Sequence, residues 1–202
     1  MFLDNSPLIK LKKRFKFVIF IGLIVGLVSL LVSLLFPLEY RADAQALIIS
    51  KSRYGVDPYT VVKSAERVGE NLVQVISTSD FYDKVMIQAN YNLDKTKFQN
   101  ISERAKRKLW QKTIQSSVVY GTGVLNISAY STDPDQAKQL AGATVDTLAS
   151  KGWEYVGGDV TIKVVNQPVV TRFPVRPNLV LNFGMGFVIG IVLSSILIIK
   201  KK

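Results

Sequence analysis

Five basic side chains lie close together in one segment and offer the clearest ionic chemistry in this sequence. The segment is SERAKRKLWQKTIQ, residues 102–115, which is expected to be helical, and its cations are Arg104, Lys106, Arg107, Lys108 and Lys112. Such a cluster could bind an anionic glycan or a lipid headgroup. A basic helix face that is simply exposed to water is the commoner meaning of such a run. Glycan or lipid contact is therefore the second interpretation.

Catalytic and metal-binding chemistry has few candidates here. The chain has no His and no Cys, which excludes disulfides, thiolate nucleophiles, imidazole bases and the common zinc ligand sets. The Gly121-Thr-Gly123 and Gly157-Gly158 sequences are too short for phosphate-binding loops and are typical of turns. Ser, Lys and carboxylates are present, but no spacing marks a nucleophile beside a base. We expect no enzymatic activity and no catalytic, cofactor-binding or metal-binding residues.

Two uncharged apolar runs, residues 17–36 and 179–199, stand out from the rest of the chain. At about 1.5 Å per residue, a helix of either run would cross the roughly 30 Å hydrocarbon core of a bilayer. The first run also invites comparison with a cleaved signal peptide, because basic residues precede it and Ala42-x-Ala44 follows. It is longer than the roughly 7–15 residues of a signal-peptide apolar region. Both runs are predicted to be transmembrane helices.

Small residues recur on one face of each predicted span. In lipid, such stripes let helix backbones approach closely, so we predict that both faces pack against helices. The residues are Gly22, Gly26, Ser29 and Ser33 in the first span and Gly186, Gly190 and Ser194 in the second.

Three prolines, Pro168, Pro174 and Pro177, precede the second span. Proline fixes its own φ and biases the preceding residue towards extended conformations. This proline motif is expected to form a stiff approach to the membrane and to set the angle at which the preceding domain meets it.

Basic residues are distributed unevenly around the two spans. Eight flank the outer ends and four lie near the inner ends; they are Lys10, Lys12, Lys13, Arg14, Lys16, Lys200, Lys201 and Lys202 against Arg41, Lys51, Arg172 and Arg176. Positive charge favours the cytoplasmic side. The predicted division is therefore cytoplasmic tails at 1–16 and 200–202 and an extracytoplasmic domain at 37–178. The tails carry much of the net charge of +11, so the charge does not indicate a nucleic-acid partner.

The segment between the spans reads as strand, helices, strand, helix, strand. Alternating apolar residues predict a strand at 40–50, helical periodicity predicts helices at 59–77, 79–89 and 102–115, and a longer strand follows at 118–130. Asp133 and Pro134 are typical of a helix start, and Val160 begins the last strand. The order predicts an α/β (α+β) domain with a mixed sheet near the membrane and protruding helices.

Taken together, these features resemble the polysaccharide co-polymerases, also called chain-length determinant proteins. The resemblance covers nearly the whole chain. It rests on the first span followed by Tyr40-Arg-Ala-Asp-Ala, on LNISAYSTDPDQA at residues 125–137, and on the prolines before a Gly-rich second span.

The resemblance implies a two-span protein of the bacterial inner membrane that assembles as a homo-oligomeric ring. It also implies control of the chain length of O-antigen, capsular or exopolysaccharide, acting with a membrane polymerase on lipid-linked glycan and without enzymatic activity. Because the tails are too short for a kinase domain, a compact member without that domain is expected.

Two other functions stay open. The chain could be an adaptor that activates a partner tyrosine kinase through its cytoplasmic ends, or a two-span sensor or transport accessory protein. Neighbouring genes would separate the three: a polymerase with glycosyltransferases, a tyrosine kinase, or a histidine kinase or transporter.

Overall fold

A computed structural model describes residues 11–50, 57–157 and 160–200. The chain forms two compact units, one from Met1–Leu38 with Val175–Lys202 and the other from Glu39–Pro174. Some sequence predictions fall outside the described residues: the basic tail up to Lys10, the connection at 51–56 with Lys51, Gly158, and the last two lysines, Lys201 and Lys202.

The first unit contains two helices, α1 (Phe15–Ser33) and α7 (Leu179–Lys200), and both are long and apolar enough to cross a membrane. Apart from their mutual contact, they expose Leu, Ile, Val and Phe side chains on most of their surface. Helices that are apolar all round are suited to lipid rather than to water. The prediction of two long apolar helices near the ends of the chain is confirmed.

The second unit is built on a four-stranded sheet in the order β2–β3–β1–β4. The strands are β1 (Tyr40–Ser50), β2 (Ile114–Val118), β3 (Val124–Ser131) and β4 (Val160–Val170). All three neighbouring pairs are antiparallel, so the predicted mixed sheet is wrong. The chain enters the sheet through β1 and leaves it through the neighbouring strand β4, which runs in the opposite direction. Strands β2 and β3 form a hairpin.

The hairpin replaces the single long strand predicted at 118–130. Helix α4 (Glu103–Thr113) ends before the predicted residue 115, and β2 starts at once. Two glycines then close the turn rather than bend a strand. Gly121 has φ of +71°, which glycine adopts without strain, and a Cβ on Gly123 would lie 2.4 Å from the Ile48 carbonyl oxygen.

Two long helices, α2 (Pro58–Ile76) and α5 (Pro134–Lys151), cover one face of the sheet. Each begins with a capping Asp and a Pro in its first turn: Asp57 accepts from the Thr60 N–H and Asp133 from the Asp135 N–H. Because α5 buries most of its residues between Ala137 and Leu148, it lies along the sheet. The prediction of protruding helices is corrected accordingly.

Shorter elements complete the domain. Helix α3 (Ser79–Met86) is capped by the Thr78 hydroxyl and ends before the predicted residue 89. A 3₁₀ turn spans Thr96–Phe98, and α6 (Trp153–Val156) follows α5.

The core lies between the sheet and its helices. Its β1 side is formed by Ala42, Ala44, Ala46 and Ile48, which are at most 2% exposed. Leu125, Ile127 and Ala129 line up beside them on β3. Because alternate residues point to opposite faces, the residues between these ones form the other face of the sheet, which is uncovered as far as the described part of the chain goes.

Candidate functional site

The basic segment lies on α4, with most of its cations in water. Arg104, Arg107, Lys108 and Lys112 are exposed. Lys106 differs, because its side chain is only 23% exposed, its ammonium is 3.2 Å from a Glu103 carboxylate oxygen, and it lies 5.2 Å from the centre of the Tyr82 ring. The ion pair with Glu103 raises the pKa of Lys106. Lys106 therefore helps to hold α4 against the domain.

Trp110 anchors the other side of α4. It is buried between Tyr82 and Phe98 in edge-to-face contacts, and its indole N–H donates to the Ile76 carbonyl at 2.7 Å. This bond satisfies a carbonyl in the last turn of α2, where no intrahelical partner exists.

The structure places the two small-residue faces against each other. A Cβ on Gly186 would lie 2.6 Å from the Cβ of Ser29, and one on Gly190 would lie 2.9 Å from the Cα of Gly22. Gly26 lies under the ring of Phe183, and Ser33 and Ser194 are also buried. The contact that the stripes form is thus between the two helices of one chain.

A polar contact that the sequence analysis did not single out lies in the same helix pair. The Asn182 amide donates to the Ser33 hydroxyl at 2.8 Å, and the Ser29 hydroxyl donates to the Asn182 carbonyl at 2.9 Å. Hydrogen bonds of this kind join helices in lipid. In the sequence, this contact was indicated by a single amide residue, Asn182, near the start of the second apolar run.

The three prolines occupy different settings. Pro168 lies in β4, an edge strand, where the pairing with β1 shifts between Asp43 and Gln45. Edge strands and bulges tolerate the missing N–H of proline. Pro174 and Pro177 follow the strand, and the Arg176–Pro177 peptide is cis.

The uncovered face of the sheet is the site that the sequence analysis missed. It is polar over its middle part, and four strands contribute to it. We call this surface the polar face, and its residues are Arg41, Asp43, Gln45, Gln115, Ser117, Asn126, Ser128, Tyr130 and Asn166.

Three amides form a ladder across the polar face. The Asn166 amide donates to the Gln45 carbonyl oxygen, and the Gln45 amide donates to that of Asn126 at 2.6 Å. The irregular pairing of β4 is what places Asn166 opposite Gln45. Both hydrogen bonds run in the same direction along the ladder. The NH2 group of Asn126 at one end and the carbonyl oxygen of Asn166 at the other therefore have no partner within the ladder.

A charged pair continues the polar face beyond the ladder. The Asp43 carboxylate accepts from the Ser128 hydroxyl at 2.6 Å and lies 2.9 Å from the Arg41 Nε. The Tyr130 ring is the cross-strand neighbour of Arg41. Arg41 is the one cation among the residues that define the polar face and is paired with the one anion, Asp43, so these residues carry no net charge.

A shallow cavity of about 680 Å³ lies over this surface. Its lining offers amide and hydroxyl groups, which both donate and accept hydrogen bonds, and the Asp43 carboxylate, which accepts them; it contains few apolar side chains. Alternation of polar residues at 41, 43 and 45 and at 126 and 128 was visible in the sequence. It is typical of any solvent-facing strand, and the order of the strands was needed to bring the residues together.

Other polar clusters in the domain are explained by packing. The Glu154 carboxylate, 2.6 Å from the Lys84 ammonium, raises the pKa of that lysine and ties α3 to α6. Burial, reinforced by a hydrogen bond to Asp146, raises the pKa of Tyr91 to about 12. Within residues 11–50, 57–157 and 160–200, no group of three His, Cys, Asp or Glu side chains could hold a metal ion.

Comparison with known proteins adds no relative: no protein-family model matches this chain, and no significant match is found among curated proteins.

Proposed function

We propose that this chain is a non-enzymatic, oligomeric protein of the bacterial inner membrane that regulates polysaccharide chain length together with a membrane polymerase. The observation that carries the proposal is the pairing of the first and last strands of the α/β unit, in a chain whose flanking helices also pack together. That the regulated product is a polysaccharide is inferred from the sequence resemblance to chain-length determinant proteins.

The two ends of the α/β unit are fastened to each other. Ala42 pairs with Val170, and beyond that pair the Thr171 N–H donates to the Arg41 carbonyl at 2.8 Å while the Arg41 N–H donates to the Thr171 hydroxyl at 3.2 Å. A domain closed in this way suits a chain that leaves a membrane and returns to it at one place.

In the proposed arrangement both chain ends lie in the cytoplasm and residues 37–178 lie outside it. Copies of the chain assemble around the polymerase and its lipid-linked glycan. Length control then comes from a scaffold that holds the growing glycan rather than from bond chemistry, which agrees with a sequence that lacks His, Cys and a phosphate-binding loop.

The test is deletion of the gene in its host, followed by gel analysis of the surface polysaccharide. We expect the modal length of the glycan to change and the wild-type gene to restore it. An unchanged length distribution in the deletion strain would overturn the proposal. Changed phosphorylation of a partner tyrosine kinase with normal glycan length would favour the adaptor function instead.

A further inference from the structure

We infer that the polar face of the sheet is a binding site for a neutral, hydroxyl-rich oligosaccharide. The inference rests on the proposed function and deepens it, because it assigns the contact with the glycan to named residues: the amide ladder of Gln45, Asn126 and Asn166, with Asp43 and Ser128 beside it.

The chemistry of the polar face selects against other ligands. An anionic ligand needs unpaired cations, and the one arginine in the cavity lies 2.9 Å from the Asp43 carboxylate. A lipid chain or an amphipathic helix needs a broad apolar surface, whereas this cavity is lined mainly by amide, hydroxyl and carboxylate groups. The cluster of cations on α4 is on a different element of the domain and is not part of the cavity lining.

The same chemistry suits a sugar. Each sugar hydroxyl both donates and accepts; side-chain amides present a donor beside an acceptor, and a carboxylate presents two acceptor oxygens. The Gln45 amide is held by its two neighbours, so the ladder is ordered before any ligand binds. Such preorganisation lowers the entropic cost of binding. A sheet face takes part in oligosaccharide binding in the OB-fold.

The shape of the surface also fits an extended chain. The polar groups run across all four strands. Strands in a sheet lie about 4.8 Å apart, so the row from Ser117 on β2 to Asn166 on β4 covers roughly 14 Å. Tyr130 adds an aromatic ring on the same face, beside Arg41.

The experiment uses the full chain in lipid nanodiscs and saturation-transfer NMR. The probes are neutral hexasaccharides of glucose, galactose, mannose, rhamnose and N-acetylglucosamine, with dextran sulfate fragments as the anionic probe. We expect binding of at least one neutral probe and none of dextran sulfate at physiological salt.

Two double variants locate the site. Gln45→Val with Asn126→Val removes two amides from the ladder and replaces them with a residue that favours strands. Asn71→Ala with Gln74→Ala removes two exposed amides from α2 and is the matched control. The loss of two or more hydrogen bonds predicts a drop in affinity of about tenfold or more for the first variant and no change for the second. Circular dichroism melts check that both variants fold.

Several results would overturn the inference. They are no binding of any neutral probe, preference for dextran sulfate, equal affinity in the ladder variant and wild type, or a ladder variant whose only change is a smaller oligomer. The last result would assign the polar face to a second copy of the chain. None of these results depends on the deletion phenotype, so the site and the proposed function fail separately.

Discussion

At the scale of single residues, two glycines in α7 show how differently the same residue type is used. A Cβ on Gly186 would lie 2.6 Å from the Cβ of Ser29, whereas one on Gly184 would have no neighbour within 4 Å. Only the first glycine is required by close helix packing. Helix association in lipid depends on such contacts because burial of apolar surface supplies little drive there.

We therefore expect Gly186→Leu to separate the helices locally and to destabilise their contact by about 2 kcal/mol. Gly184→Leu, two residues away on the same helix, should change stability little. Reversible unfolding of the full chain in mixed micelles, titrated with SDS, measures both variants. Equal destabilisation by the two substitutions would contradict the packing argument.

Glu66 is the clearest buried charge in the domain. Its side chain is only 5% exposed, and its two carboxylate oxygens accept from the Lys63 ammonium at 2.8 Å and from the Gly121 N–H at 3.4 Å. The hydrogen bond from Lys63 is the main cause that lowers the pKa of Glu66, and the bond from Gly121 adds to it. Glu66 thus joins α2 to the hairpin turn.

This lowered pKa sets a pH dependence. Because the pKa of Glu66 is lower in the folded state than its ordinary value of 4.5, its contribution to stability is present above that pH and is lost as the pH falls through the folded pKa. Glu66→Gln should lower the melting temperature at pH 7. The difference in melting temperature between the variant and the wild type should shrink as the pH falls below 4.5, the ordinary pKa of Glu. Thermal melts between neutral and acidic pH measure it.

The control is Glu70→Gln, which alters an exposed carboxylate on the same helix. Its effect at pH 7 should be much smaller. A melting-temperature gap for Glu66→Gln that stays constant with pH would show that packing, and not the ionised carboxylate, explains the loss.

At the scale of elements, strong local signals were enough for β1, α5 and the two apolar helices. Alternation of small apolar residues predicted β1, and Asp133 with Pro134 predicted the start of α5. The signals failed where α4 runs directly into β2 at Thr113 and Ile114, because no turn residue marks that change. Gly121-Thr-Gly123 was recognised as typical of a turn, but the strand predicted at 118–130 ran through it, since the closing of the hairpin there depends on the neighbouring β1.

The polar face could not be predicted for a related reason. Gln45 and Asn166 are 121 residues apart in sequence, and only the strand order and the irregular pairing of β4 bring their amides together. Likewise, Lys106 was expected to be fully solvated, and its contact with the Tyr82 ring depends on how α4 packs against α3.

The hairpin gives a prediction at this scale. Gly123→Ala should destabilise the domain by about 3 kcal/mol, because its Cβ would lie 2.4 Å from the Ile48 carbonyl oxygen of β1 and backbone atoms cannot yield easily. Gly121→Asn is the control: no atom lies within 4 Å of a Cβ there, and Asn tolerates the positive φ. Urea unfolding followed by tryptophan fluorescence measures both. A tolerated Gly123→Ala would mean that the hairpin can move away from β1.

At the scale of the whole molecule, the chain consists of two structural units with opposite surface chemistry. One unit exposes apolar side chains on most of its surface, and the other buries its apolar residues between a sheet and helices. The domain in the second unit starts and ends on neighbouring antiparallel strands, and the start of β1 lies beside the end of β4. If both apolar helices cross a membrane, the two ends of the chain are expected on the same side of it.

The distribution of charge predicts which side that is. Eight basic residues flank the outer ends of the two apolar runs and four lie near the inner ends, so both chain ends should be cytoplasmic and the domain outside. Alkaline phosphatase, which is active only outside the cytoplasm, should be active when fused after Gly157, at the end of α6. The same enzyme should be inactive when fused after Lys202, where green fluorescent protein should instead fluoresce. Inactive phosphatase at Gly157 with active phosphatase at Lys202 would reverse the topology and place the α/β domain, with its polar face, in the cytoplasm.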